Sequence, residues 1–195
     1  QLNKGELNPS PGEWVSVRKF VETSKGACIA LTTQGLYKFS NSTGNFIPIK
    51  NVYSPTQNQL KYMYSSFDMI LESDSTLWIV GIGPHLYKTD LNTNSFRKFT
   101  CNTCREKFIK LNSYNKGVDF QTLQLLSEDL LLLGNNLGLY TFNKKTGVFK
   151  DHSKINPFLQ IQTVHDIIKD KKEGFWIASD KGLILLDNML TLKIY

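Results

Sequence analysis

The sequence predicts an all-β fold, a β-propeller of four repeated four-stranded antiparallel blades, expected as a partial or self-associating propeller. Three observations predict it. An apolar run, a polar turn, a second apolar run and a polar stop recur four times along 195 residues. Aligned on the leucine after the turn (Leu36, Leu86, Leu139 and Leu183), the repeats are 50, 53 and 44 residues apart. The runs are short and rich in β-branched, leucine and aromatic residues, which suits strands joined by tight loops. A four-stranded unit of that length cannot bury both faces alone, so tandem copies are expected to stack.

The clearest unit is the last, Gly174-Phe175-Trp176-Ile177-Ala178-Ser179-Asp180-Lys181-Gly182-Leu183-Ile184-Leu185-Leu186-Asp187. Its counterparts are Gly26–Leu31 with Gly35–Phe39, Leu77–Gly81 with His85–Asp90, and Leu130–Gly134 with Gly138–Asn143. These pairs are strands B and C of each blade.

Taken in order, residues 1–12 form a polar lead-in containing Pro9 and Pro11. Strand A of the first blade is Trp14–Val21, and strand D, Asn45–Ile49, follows the turn Asn41-Ser42-Thr43-Gly44. The second blade has A at Ser65–Leu71 and D at Ser95–Thr100, and the third has A at Phe120–Leu126 and D at Val148–His152. The fourth has A at Thr163–Lys169 and D at Thr191–Tyr195. Blades 13–50, 62–100, 117–152 and 162–195 therefore form one region covering 1–195. Gln59–Ser66 and Glu106–Leu111 have room for a helical turn. Trp78, Trp176, Tyr37, Tyr87 and Tyr140 sit at repeated places and read as packing between blades, not as ligand platforms.

Composition narrows the function classes. Hydrophobic content of 41% and charged content of 21% are ordinary for a globular chain. No apolar run approaches the roughly 20 residues of a membrane span, so no membrane contact by this segment is expected. The chain starts at Gln1, which suggests a processed product or a piece of a longer protein. The net charge of +6 is scattered, with no stripe of Lys and Arg among aromatics, so no nucleic-acid partner is expected.

Cys101-Asn102-Thr103-Cys104 has no second ligand pair, so neither a zinc site nor any other metal or cofactor is expected. It reads as a reduced loop pair, or as a local disulfide in an oxidising compartment; Cys28 reads as a small core residue. No HExxH, GxSxG or phosphate-binding glycine loop occurs, and no catalytic residue is assigned. Asp129, Asp166, Asp170 and Asp187 recur at strand ends, where carboxylates cap turns.

Two of the units carry a family resemblance. Gly174–Ala178 with Lys181-Gly182-Leu183 and Asp187, and Leu77–Gly81 with Leu86-Tyr87 and Asp90, resemble the two-component-regulator propeller repeat. Asp166–Asp170 is similar to that repeat's first strand and acidic stop. The first and third units lack the tryptophan, with Cys28 and Leu131 read in its place. The resemblance implies a periplasmic sensor region of a bacterial hybrid two-component system, the ectodomain of an inner-membrane protein. It further implies detection of carbohydrate fragments and signalling across the membrane. Such regions hold more than four blades, so an arc of a larger ring, or one completed by another copy, is expected.

The D-to-A connections are long, and they leave the sheet at the same end as the B–C turns. Long loops on a rigid scaffold are where binding residues concentrate. The candidates there are Tyr62, Tyr64, His85, Arg105, Tyr114, Asn136, His152 and Asp180, with Tyr53, Gln34, Asn135 and Lys181 beside them. Aromatic planes with amide, carboxylate and guanidinium groups suit a carbohydrate or another small polar ligand. Two alternatives stand beside the sensor. One is a protein-interaction propeller without a small ligand; the other is a propeller lyase or hydrolase, for which His85 with Asp180 is the one acid–base pair at hand.

Overall fold

The computed structural model describes residues 16–33, 35–49, 66–93, 95–110, 117–152, 163–171, 174–187 and 189–193. The first sheet contains β1 (Val17–Glu22), β2 (Cys28–Thr32), β3 (Gly35–Ser40) and β4 (Asn45–Pro48). The second contains β5 (Ser66–Leu71), β6 (Thr76–Gly81), β7 (His85–Asp90) and β8 (Ser95–Thr100). After a helix, α1 (Asn102–Lys110), come β9 (Phe120–Leu125), β10 (Leu130–Asn135), β11 (Gly138–Asn143) and β12 (Phe149–Asp151). The last sheet contains β13 (Val164–Lys169), β14 (Phe175–Ser179), β15 (Gly182–Leu186) and β16 (Leu192–Lys193). Each sheet is a meander in chain order. Of the helical turn expected at Glu106–Leu111, Glu106–Lys110 lies in α1 and Leu111 falls outside the described residues; the one expected at Gln59–Ser66 falls outside them apart from Ser66, which opens β5.

Local chemistry accounts for the repeated signature. The polar stop after the third strand is a turn cap: Asp90 Oδ1 accepts from the amides of Asn92 and Thr93, each at 2.9 Å. Asn143 accepts from Lys145 and Thr146 at 2.9 Å, and Asp187 from Met189 at 2.9 Å and Thr191 at 2.8 Å. Side-chain oxygens of Asp and Asn imitate a backbone turn in this way. Gly44 and Gly147 then take φ of 70° and 73°, where a Cβ would be strained. The acidic stop after the first strand has a different task, since Glu72 accepts from Trp78 Nε1 at 3.0 Å and Asp170 from Trp176 Nε1 at 3.4 Å.

Strand register corrects one sequence expectation. Trp78 pairs with Ile70 and Trp176 with Ile168, and the residues at that register in the other sheets are Ile29, opposite Val21, and Leu132, opposite Gln124. Ile29 and Leu132, not Cys28 and Leu131, hold the tryptophan position. A one-residue slip matters because it moves a side chain to the other face.

The chain divides into two compact units, 1–81 with 87–98 and 82–86 with 99–195. In the first, Ile29, Leu31 and Leu36 of the first sheet pack on Met69, Leu77, Ile79 and Tyr87 of the second. In the second, Leu132 and Leu139 of the third sheet pack on Val164, Ile167, Phe175, Ile177 and Leu186 of the fourth. The two cores use the same rule. One face of the earlier sheet receives the opposite face of the later one. Gly134 permits the second contact, because a Cβ there would lie 2.3 Å from Val164 Cγ1.

Candidate functional site

In a four-strand meander the B–C turn and the connection to the next sheet leave from one end. In the second unit this end carries, among the described residues, 82–84, 101–110, 117–119, Asn136–Leu137 and Asp180–Lys181. Short-range sequence signals place each turn, but long-range polar contacts join the first four.

The joined part is built around α1. The Cys101 amide donates to Pro84 O at 2.8 Å, and Cys101 and Cys104 form a disulfide with their Cα atoms 5.3 Å apart. This resolves the two open readings of the cysteine pair in favour of the disulfide, and both residues are fully buried. One turn on, Lys107 Nζ donates to Leu137 O at 3.0 Å and to Asp151 Oδ2 at 3.1 Å. The same ammonium lies 5.7 Å from the centroid of the Tyr140 ring. Burial raises the pKa of the Tyr140 phenol, and the charge of Asp151 raises it further.

A second thread ties the turns to the connection after α1. The Gly83 amide donates to Asp119 Oδ1 at 2.8 Å, and the Asp119 amide donates to Asn136 Oδ1 at 3.2 Å. Asn136 Nδ2 donates onward to Gly117 O at 2.7 Å. His85 Nδ1 lies 3.2 Å from Thr100 Oγ1. Three of the expected residues, His85, Arg105 and Asn136, therefore stand on elements held together by one network. Arg105 is exposed, and Asn136 holds the loop with both ends of its amide. Asp119, Lys107 and Thr100 were missed in the sequence, since nothing near them in the chain signals partners up to 44 residues away.

The other expected residues separate from this group. Asp180 pairs with His165, whose Nε2 is 2.6 Å from Asp180 Oδ1, and it also accepts from the Thr163 amide at 3.2 Å. The hydrogen bond from His165, followed by that from Thr163, holds the Asp180 carboxyl below the usual carboxylate range. The imidazole beside Asp180 is thus His165 and not the His85 considered for acid–base work. His152 is buried, with Nε2 2.8 Å from Thr141 Oγ1, and burial pushes its pKa below the ordinary imidazole value. Tyr62, Tyr64 and Tyr114, together with Tyr53 and Gln34, lie outside the described residues. Among the described residues, no three His, Cys, Asp or Glu side chains group as a metal site.

In the first unit a cavity of about 660 Å³ opens at the other end of the first sheet, lined by Lys25, Ala27, Lys38, Phe39, Ile47 and Ile49.

The chain is similar in structure to the extracellular domain assigned to the hybrid two-component system BT4673 of B. thetaiotaomicron, with a TM-score of 0.65 and 11% identity over 92% of this chain. It is similar to that of BT3049 of the same organism, with a TM-score of 0.62 and 16% identity over 92%. It is also similar to the WD40 β-propeller domain of Doa1, with a TM-score of 0.59 and 10% identity over 86% of this chain and 49% of that one. The chain spans about a fifth of the two ectodomains, 21% in each case. No protein-family model and no curated protein sequence matches it. At these identities the likeness establishes the fold, a β-propeller of four-stranded antiparallel blades.

Proposed function

We propose that the chain is the ligand-sensing part of an extracytoplasmic two-component sensor, and that it binds a carbohydrate fragment on the loops around α1. The observation that carries this reading is the network itself. A disulfide, a lysine bridging two elements and a chain of hydrogen bonds between side chains and backbone hold three separate loops beside α1, which carries exposed Arg105. Preorganised loops lower the ordering cost of binding a small polar ligand. The similarity to extracellular domains assigned to two-component systems supports the sensor role. The buried disulfide supports a periplasmic location, since such bonds persist in oxidising compartments. Signalling then requires that ligand contact at these loops bias the arrangement of parts beyond this chain.

The experiment is a thermal-shift screen of neutral and acidic oligosaccharides, followed by calorimetry on Arg105→Ala and Lys38→Ala. A Tm rise that Arg105→Ala abolishes and Lys38→Ala retains supports the site at α1. The reverse pattern moves the site to the cavity in the first unit. No shift with any glycan removes carbohydrate sensing and favours a protein-interaction propeller.

A further inference from the structure

We propose that the cavity of the first unit is a second ligand site, and that it takes a small carboxylic acid with an apolar body. It shares no residue with the loops around α1. Lys25, Lys38 and Ile49 line the cavity of about 660 Å³ and also a smaller one of about 370 Å³ that reaches Leu91, just after β7. Both volumes fall in the range of small-molecule sites, about 300–1,000 Å³. Lys38 pairs with Ile29 and with Ile47, so the three share the face that meets the second sheet. Ile49 and Leu91 pack against the same core. Phe39 borders the cavity, but its ring lies on the opposite face, 5.2 Å from that of Phe46. Among the described residues the walls are aliphatic, with no aromatic plane on which a sugar ring could stack.

The second sheet supplies a counter-charge that the first sheet omits. Two residues after the repeated leucine the second sheet has Lys88, whose ammonium lies 3.7 Å from Glu72 Oε2. Glu72 follows the first strand of its sheet, and its amide donates to Thr76 O. In the first sheet the same bond runs from the Thr23 amide to Ala27 O, so Thr23 stands in the place of the acid. Its hydroxyl accepts from the Ala27 amide at 3.0 Å and brings no charge. Lys38 is the counterpart of Lys88. Among the described residues no carboxylate is at bonding distance from Lys38 or Lys25. Asp74, which lines the smaller cavity and feels the charge of Lys25, is already bonded through both oxygens to Ser24.

The other unit closes the equivalent place. There Thr141 stands where Lys38 does. His152 stands where Ile49 does, since its amide donates to Leu139 O as that of Ile49 donates to Leu36 O. Thr141 and His152 are buried and lie 2.8 Å apart through Oγ1 and Nε2. The first unit has an open cavity and an exposed lysine instead. A ligand carboxylate gives Lys38 what Glu72 gives Lys88, through a charge-assisted bond, while Ile47 and Ile49 take the apolar body.

The test titrates the full chain with 2-naphthoate, its neutral analogue 2-naphthalenemethanol, and glucuronate, by calorimetry and by mapping of amide shifts. The variants are Lys38→Gln, at an exposed position on which the fold does not depend, and Thr23→Glu, which restores the acid of the second sheet. Circular dichroism confirms that both fold. The expected result is that 2-naphthoate moves the amides of residues 25–27 and 38–41, and that the alcohol and glucuronate bind about tenfold more weakly. Each variant is expected to weaken 2-naphthoate by about the same factor, the loss of one charge-assisted bond. Affinity that Lys38→Gln leaves unchanged overturns the proposal. So do equal binding of the alcohol or of glucuronate, shifts confined to other residues, or no binding of 2-naphthoate at all.

Discussion

Thr122 Oγ1 donates to Asp166 Oδ1 across 3.3 Å, joining the first strand of the third sheet to the first strand of the fourth. Lys19 and Asp68 occupy the same register in the other unit and are bonded too. Each aspartate also accepts from the amide that follows it, Met69 N at 2.9 Å and Ile167 N at 2.8 Å. The strand register shifts at this place in all four sheets. A bulge leaves an amide outside the ladder, and the carboxylate satisfies it.

Asp68→Ala is therefore expected to lower the unfolding free energy by about 1–3 kcal/mol, since it leaves a buried amide unpartnered and Lys19 without this carboxylate. Asp68→Asn keeps an oxygen for the amide and should cost less. Urea unfolding of the two variants checks this order; equal losses would show that the amide bond contributes nothing.

Gly134 tests the packing between the third and fourth sheets. An added Cβ would lie 2.3 Å from Val164 Cγ1 and 2.9 Å from Thr122 Cγ2. Gly134→Ala is expected to destabilise by about 1–3 kcal/mol through overpacking. In a double-mutant cycle Val164→Ala should recover part of that loss, and additive losses would place the strain elsewhere.

His152 sets a pH dependence. Its folded pKa lies below the ordinary 6.5 because burial, and secondarily Lys150, disfavours the imidazolium. The unfolded chain then binds more protons, so stability is intact above about pH 6.5 and falls as pH drops toward the lowered folded value. Unfolding midpoints between pH 7.5 and 5 should fall for the parent chain and fall less for His152→Gln. Asp180, whose folded pKa is lowered, keeps its contribution above its ordinary 3.8 and loses it only as pH falls through more acidic values. The two effects occupy separate pH windows.

Removing the Cys101–Cys104 bond should act locally. The cysteines are three residues apart, and closing so short a loop contributes about 2 kcal/mol by the chain-entropy relation. Cys104→Ser is expected to raise amide exchange in α1 and to weaken any ligand that depends on Arg105, leaving exchange in β1–β4 unchanged. Uniform loss of protection across the chain would contradict a local role.

Much of the fold was legible because strands leave local marks. The Asp and Asn stops at Asp90, Asn143 and Asp187 announce turns, and the apolar runs between them have strand length. Register was less legible. Cys28 and Leu131 look as plausible as Ile29 and Leu132 beside the same turns, and only the hydrogen-bond ladder separates them. In the candidate site, His85, Arg105 and Asn136 could be named from loop position alone. Their connection through Thr100, Asp119 and Lys107 could not, because those contacts link residues remote in sequence.

The sequence by itself determined the four-fold repeat, the all-β class and the turn chemistry, since period-two alternation and Asx turns act within a few residues. Tertiary structure alone decided which face of each strand is buried, which imidazole meets Asp180, and why Leu183 is exposed while Leu36, Leu86 and Leu139 are not. The physical reason is that burial belongs to a pair of sheets, and the same leucine in the same local setting is core or surface according to what stands opposite it.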